Sequence, residues 1–485
     1  MGNARNLIII TSDELRGDCT GFGGNPDCKT PQLDALAQQA VVFNRHFAVH
    51  GKCVPSRVSI VTGRYCHTDG YRTIIEHLPP KHPNLLTVLK HAGYETALFG
   101  VDHCWSDFWG NNKKGGGCTD FHSFTEDYFN DFTKREYPVQ APRADSVEPL
   151  QLPTGYDYRG RISGPIKGYS DECRAEQAIH YLRNVRDRNR PFYMQLNIGY
   201  PHPPYEAEEP YFSMYDRQRI RPWPYALPRG APLPMQVMRA VRTTPEANER
   251  AFREIQATYY AAITKVDYLI GKVLAAMEAE GLFDNSVLLF TADHGDFAGQ
   301  YGLVEKWDTA MNDCILHVPC VLRAPELPRN KRIDSLSDHT DLAPTMLELL
   351  GLKPNWGVHG ESLLPIISGS KRKKAVFADG GHEAEMCRRV NPIGNTGERN
   401  EKVMTYEREP QTMARTKMVR ADDFKLVVRL AGGNELYDLR RDPYEMENLW
   451  GRTEFDRVVQ DLLLQLVEWS LRTDTDQPYQ EYVGP

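Results

Sequence analysis

The 485-residue chain has no apolar run of about 18 residues, so nothing in it reads as a membrane-spanning helix. It has no strong charge of either sign. A net charge of −7 with only short basic runs gives no reason to expect a nucleic-acid partner. It has few cysteines. Ten in 485 residues, with no CxxC pair and no Cys/His zinc spacing, exclude a disulfide-framework protein and a zinc ribbon. A signal-peptide pattern is also missing: Met1 to Asn6 leads directly into Leu7–Ile10, which reads as a first strand. A reduced, cytoplasmic compartment is therefore expected, with most cysteines as inert buried thiols. What is present is ordinary: 41% hydrophobic and 25% charged residues exclude wholesale disorder. The length suits about three average domains, or one large and one small.

Short apolar strands alternate with amphipathic helices through most of the chain. Strands are expected at 6–11, 41–43, 95–99, 192–198, 286–290 and 318–322. Helices are expected at 30–40, 85–92, 172–186, 251–280 and 341–350. Thr30 is placed as the cap of the first helix, with Pro31 in its first turn. This alternation predicts an α/β fold with a large, mostly parallel sheet sandwiched by helices. Two segments, 113–165 and 203–244, break the rhythm and read as long loops, either plain insertions or pocket walls. After the basic connector at 368–374, four short strands and a terminal helix near 455–471 predict a smaller α+β domain of antiparallel strands. The expected division is 1–365 and 366–485.

Ligands of an open parallel sheet bind beyond the carboxyl ends of its strands. Four expected strands end in acids or histidines: Asp13-Glu14, Asp102-His103, Pro201-His202 and Asp293-His294. Any one of these histidines alone is more simply structural. Together they favour one site. Asp13, Glu14 and Asp293 are hard oxygen donors of the kind that suits calcium, magnesium or manganese, and His294 adds a nitrogen. The segment Cys53-Val54-Pro55-Ser56-Arg57, followed by Thr62-Gly63-Arg64, carries the most specific signal. A cysteine at a helix N-terminus beside an arginine is, on general grounds, an activated thiolate. The spacing to Arg57 is too short for the Cys-x5-Arg loop of thiol phosphatases.

This C-x-P-S-R…T-G segment resembles the signature of the type I sulfatases in the alkaline-phosphatase superfamily. The resemblance spans nearly the whole chain, including the Thr30-Pro-Gln-Leu-Asp helix, Phe290-Thr-Ala-Asp-His-Gly and Glu435-Leu-Tyr-Asp-Leu. It implies that Cys53 is converted to formylglycine by a formylglycine-generating enzyme during maturation. It further implies one divalent metal ion, calcium ahead of manganese or magnesium, on Asp13, Glu14, Asp293, His294 and residue 53. Arg57 would pair with the formylglycine and the anion. His103 stands at the histidine of G-K-W-H, His202 at that of P-H-x-P, and Lys306 at the downstream lysine. Three positions depart from the pattern. Glu14 replaces the usual aspartate, Val101 replaces the lysine of G-K-W-H, and His317 stands where many sulfatases have arginine.

The implied activity is hydrolysis of a small-molecule or saccharide sulfate monoester. A formylglycine hydrate would attack sulfur, and His202 with Lys306 would serve the leaving oxygen. His103 would take a proton from the second hydroxyl, which lets the intermediate collapse and expel sulfate. The alternative is a phosphonate monoester hydrolase or phosphodiesterase with the same machinery, since those relatives also lack the lysine and carry histidine at position 294. A non-catalytic glycan-binding relative and a Ser/Thr phosphomutase fit less well, because the cysteine motif and metal positions are filled. The loops 113–165 and 203–244, and 382–389, are the expected determinants of the organic half. Tyr156, Tyr158, Tyr205, Trp223 and Tyr225 there can stack on a ring or simply pack the loop. A homo-oligomer is compatible with the proline-rich insertions and the 474–485 tail.

Overall fold

In the computed structural model the described residues are 5–74, 76–79, 82–100, 103–105, 146–148, 158–163, 171–242, 248–382 and 409–474. Most of the 113–165 insertion, Tyr156, Cys118, Cys387, residues 383–389 and the tail beyond 474 lie outside them. Strand β1 (Asn6–Asp13) is buried along its whole length. Side chains alternate across a strand, so a strand in the middle layer needs apolar residues at every position. Ile8 and Ile10 pack on the side of the long helix Glu249–Ala279, while Leu7 and Ile9 pack on the side of helix Leu342–Leu349. Each such side chain contributes about 1.5–3 kcal/mol on burial.

The other strands of this sheet are β2 (Val41–Phe43), β4 (Glu95–Gly100), β7 (Phe192–Pro201), β9 (Ser286–Ala292), β10 (Cys320–Arg323) and β11 (Lys331–Ile333). Their order is β11-β2-β10-β9-β1-β7-β4. The run β9-β1-β7-β4 is parallel throughout. Strand β10 is antiparallel to both its neighbours, so the sheet is mixed. Two short strands, β3 (His46–Phe47) and β12 (Ser337–Asp338), pair beside it. A second sheet of four antiparallel strands follows, with β13 (Ala375–Gly380), β14 (Thr416–Ala421), β15 (Phe424–Arg429) and β16 (Glu435–Asp438). The terminal helix Asp456–Thr473 packs Leu462, Leu466 and Trp469 against Val419, Leu426 and Leu436 of that sheet.

Three local expectations are corrected. The segment 203–244 is not a plain loop. It contains β8 (Tyr205–Glu208), which pairs with β6 (Tyr158–Ile162), itself paired with β5 (Ser146–Glu148), and it contains a helix, Leu233–Arg242. Pro203, Pro204 and Pro210 flank β8, and Pro234 falls in the helix's first turn, where no backbone donor is needed. The helix expected at 172–186 runs Asp171–His180 and finishes in a wider π turn at Tyr181–Val185. Helix α1 (Pro31–Gln38) is not capped by the Thr30 side chain. Thr30 Oγ1 instead accepts from Gly21 N at 2.8 Å and donates to Asp34 at 3.1 Å. The exposed amides of α1 donate to Asp267 of the long helix, from Leu33 N at 2.8 Å and Gln32 N at 3.1 Å. A carboxylate from a distant element thus replaces the local cap.

Candidate active site

Strands β9, β1, β7 and β4 are neighbours and parallel, so their carboxyl ends form one edge. That edge carries Asp293 and His294, Asp13 and Glu14, His202, and His103; Asp102 lies outside the described residues. Helix α2 (Cys53–Thr62) brings the motif to the same edge. Its spacing is explained by helix geometry. Cys53 opens the helix and Arg57, four residues on, falls on the same face. Pro55 lies in the first turn, where its missing amide costs nothing. Gly63 ends the helix at φ 67°, a conformation that glycine adopts without strain. Ser56 Oγ donates to the Asp293 carbonyl at 2.5 Å and meets His339 Nδ1 at 2.9 Å, which ties the helix to β9.

Two groups of side chains share Asp13. In the first, the ligand atoms of Asp13, Cys53, Asp293 and His294 all lie within 4.8 Å of one another and are buried. In the second, the ligand atoms of Asp13, Glu14 and half-buried His202 lie equally close together. His294 Nε2 is 3.3 Å from Cys53 Sγ, and Cys53 Sγ is 3.7 Å from Asp13 Oδ1. Arg57 spans both carboxylates of the first group. Its Nε donates to Asp293 Oδ2 at 2.9 Å, its Nη2 to Asp13 Oδ2 at 3.1 Å and its Nη1 to Thr11 Oγ1 at 3.3 Å. His202 Nε2 is 3.2 Å from Glu14 Oε1, and Lys306 Nζ is ion-paired with the same oxygen. His103 Nδ1 is 3.6 Å from Asp13 Oδ2. The structure therefore brings the described candidate residues to one edge, and Glu14 lies with Lys306 and His202. Glu14 adopts φ 65°, a left-handed conformation that costs a non-glycine residue about 1–3 kcal/mol.

Burial raises the Asp13 carboxyl, but Arg57, then His202, Lys306 and His103, outweigh it and hold it far below the usual carboxylate range. Asp293 is pushed up, by burial first and then by the charge of Asp13, against Arg57. Burial lowers the His103 imidazole to about 3, with Arg57 acting the same way and Asp13 against it. The thiolate expected at position 53 is reversed. Burial first, then Asp13 and Asp293, push the Cys53 thiol well above its ordinary range. An unmodified Cys53 is a neutral thiol here. The other described cysteines are likewise buried.

The donors fit a divalent cation. Asp13 and Asp293 crowd two carboxylates around one arginine, and buried Glu14 Oε2 has no hydrogen-bond partner among the described residues. Hard oxygens with one imidazole suit such an ion. The aromatic residues left between ring stacking and loop packing are engaged with other protein groups. Tyr205 OH donates to Asp296 Oδ1 at 2.6 Å and accepts from Glu305 N at 2.8 Å, joining the His202 and Lys306 loops. Tyr205 is thus a packed positioning group, and so are its aromatic companions. Trp223 stacks under Arg16, Tyr225 donates to Gln256, and Tyr158 donates to Glu254. His317 packs against Phe47 and bonds the Asn44 carbonyl at 2.9 Å, within the fold's frame.

A family model described as Sulfatase matches residues 5–352. An ulvan-active sulfatase of Formosa agariphila is 27% identical over 460 residues, covering 94% of this chain and 79% of that protein. An N-acetylglucosamine-6-O-sulfatase of Bacteroides thetaiotaomicron is 23% identical over 525 residues, covering 97% of this chain and 87% of that one. The solved structure of a phosphonate monoester hydrolase from Silicibacter pomeroyi superposes with a TM-score of 0.76 at 24% identity, covering 97% of this chain and 96% of that one. The last comparison establishes the shared alkaline-phosphatase-like fold. With a matched model over most of its length, this chain belongs to the sulfatase family, a family of sulfuric ester hydrolases.

Proposed function

We propose that the chain hydrolyses sulfate monoesters at the β9-β1-β7-β4 edge, with residue 53 as formylglycine and one divalent ion beside it. The observation that carries this reading is the buried group Asp13, Cys53, Asp293 and His294 with Arg57 across it. Cys53 Sγ stands in for the oxygens of the modified residue. Asp13, Asp293 and His294 would hold the ion, calcium ahead of manganese or magnesium, with Glu14 at its margin. The bound ion would offset the ester's negative charge and the aldehyde hydrate would supply an oxygen nucleophile.

The chain's own residues do the rest. Arg57 holds Asp13 and Asp293 in place and adds positive charge behind the nucleophile. Lys306 donates to the ester oxygens, which draws it from Glu14. His202 gives a proton from its imidazole to the leaving oxygen, and Lys306 assists. His103, kept neutral by burial, accepts the proton released when product leaves. The substrate is a small-molecule or saccharide sulfate, a reading supported by relatives named for ulvan and for N-acetylglucosamine-6-O-sulfate esters. Peptide mass spectrometry of protein made beside a formylglycine-generating enzyme tests it. Residue 53 is expected as the aldehyde, and Cys53→Ala is expected to lose turnover while keeping its melting temperature. Full activity in that variant overturns the reading.

A second reading, phosphonate monoester or phosphodiester hydrolysis, is favoured by His294 in the ion-holding group. Turnover of an aryl sulfate against an aryl phosphonate monoester separates the two.

A further inference from the structure

Beside residue 53 lies a polar cluster that the reaction above does not use. Lys52 directly precedes the reacting residue and its side chain is only 8% exposed. Its Nζ is 3.4 Å from Asp308 Oδ2, and Asp308 is two residues past Lys306. His50 is fully buried; its Nδ1 accepts from Lys52 N at 3.1 Å, and its Nε2 has no hydrogen-bond partner among the described residues. His382, at the end of β13, acts electrostatically on Asp308. The cluster sits where three segments meet. Asp379 N donates to the Val49 carbonyl at 3.1 Å, and a Cβ on Gly380 would lie 2.1 Å from the Asp308 carbonyl. The second sheet therefore closes directly over the start of α2.

Stability does not explain this pair. Lys52 is the N-cap residue of α2 and makes no side-chain cap. A cation at a helix N-terminus opposes the helix dipole by about 0.3–1 kcal/mol. A buried ion pair stabilises little relative to apolar packing. Local rules broken in this way mark functional positions. Depth points the same way. Cys53 is 4% exposed, Lys52 6%, His382 3% and Asp308 2%. Lys52 adjoins residue 53 in the chain, and its cation acts on that residue, so an ester held at residue 53 lies beside it.

We propose that Lys52 and Asp308 form the wall that receives the organic half of the ester, and that they select a carbohydrate sulfate. Lys52 donates to one hydroxyl near the sulfated carbon and Asp308 accepts from its neighbour, so the sugar inserts into an existing donor–acceptor pair. Burial raises the Asp308 carboxyl, but Lys52, His382 and His50 hold it below the usual range, as an acceptor. This inference rests on the sulfatase reading. Hydroxyl recognition of this kind discriminates strongly, because a substrate without the hydroxyl leaves buried polar groups unpaired.

The test uses the modified, metal-loaded enzyme, with p-nitrophenyl sulfate and a panel of monosaccharide sulfates as substrates. Asp308→Asn and Lys52→Met keep the side-chain volume, and melting temperatures report whether each variant folds. The expected result is a loss of kcat/KM on the preferred sugar sulfate at least about tenfold greater than on the aryl sulfate, mostly in KM. In the Cys53→Ala background, calorimetry is expected to show the same weakening of sugar-sulfate binding without turnover. Equal losses on both substrates, or none on the sugar, overturn the proposal. A wild-type enzyme that cleaves aryl sulfate and no sugar sulfate also overturns it while leaving the sulfatase reading intact. An enzyme that cleaves no sulfate at all removes the reading beneath it.

Discussion

Arg57 shows how much a single side chain carries. Its planar fork reaches Asp13, Asp293 and Thr11 at once. Arg57→Lys is expected to lose at least about 100-fold in kcat/KM, because a single ammonium does not reproduce the guanidinium's fixed, planar contacts to Asp293, Asp13 and Thr11 together. The same change leaves buried carboxylates under-neutralised, and chemical denaturation is expected to show a loss of about 3–5 kcal/mol. Ser56 matters differently. Its hydroxyl bonds the Asp293 carbonyl and His339, so Ser56→Ala is expected to cost about 1–3 kcal/mol in the same measurement. Arg57 was legible in the sequence through its spacing from Cys53. The purpose of Ser56 was not, since its partners lie 237 and 283 residues away.

At the scale of elements, the strands were legible because a strand buried on both faces must be apolar at every position. Strand β8 and helix Leu233–Arg242 were hidden by their prolines, which mark element edges as readily as loops. The Tyr205 hydroxyl joins the loop after β7 to the loop after β9, and Glu305 before Lys306 is held at φ 61°. Tyr205→Phe removes both hydrogen bonds and leaves the Asp296 carboxylate short of a donor. A loss of about 1–3 kcal/mol in stability and roughly tenfold in kcat/KM is expected, read by denaturant unfolding and steady-state kinetics.

For the whole molecule, acid stability follows from buried imidazoles. Burial lowers His46 to about 3 and His67 to about 4. Their folded values lie below the unfolded value of about 6.5. Their contribution is therefore complete above that value and is lost as pH falls toward about 4, by about 1.4 kcal/mol per pH unit for each group. Denaturant unfolding at pH 7 and pH 5 is expected to show this drop, and a flat profile would falsify it. The two sheets are joined by a second buried network. Lys425 Nζ pairs with Asp313 at 2.6 Å and with Glu445. Lys425→Met strands the buried Glu445 carboxylate and leaves half-buried Asp313 with Arg420 alone, with an expected cost of about 3–5 kcal/mol by the same method.

Local pattern was enough for the alternation of strands and helices, for the acids and histidines at four strand ends, and for the motif that singles out residue 53. Each of these depends on side-chain periodicity or on neighbours within a few positions. Packing decided the rest. Which four strands lie side by side fixed that their ends form one site. The cap of α1 came from Asp267, more than two hundred residues on. The ionisation of Cys53 was set by Asp13, Asp293 and the loss of water around them, not by its own helix. Glu14 found Lys306 and His202, and Lys52 found Asp308, across loops that no short-range pattern connects. Electrostatics and hydrogen bonding act through space, and only the closed fold defines those distances.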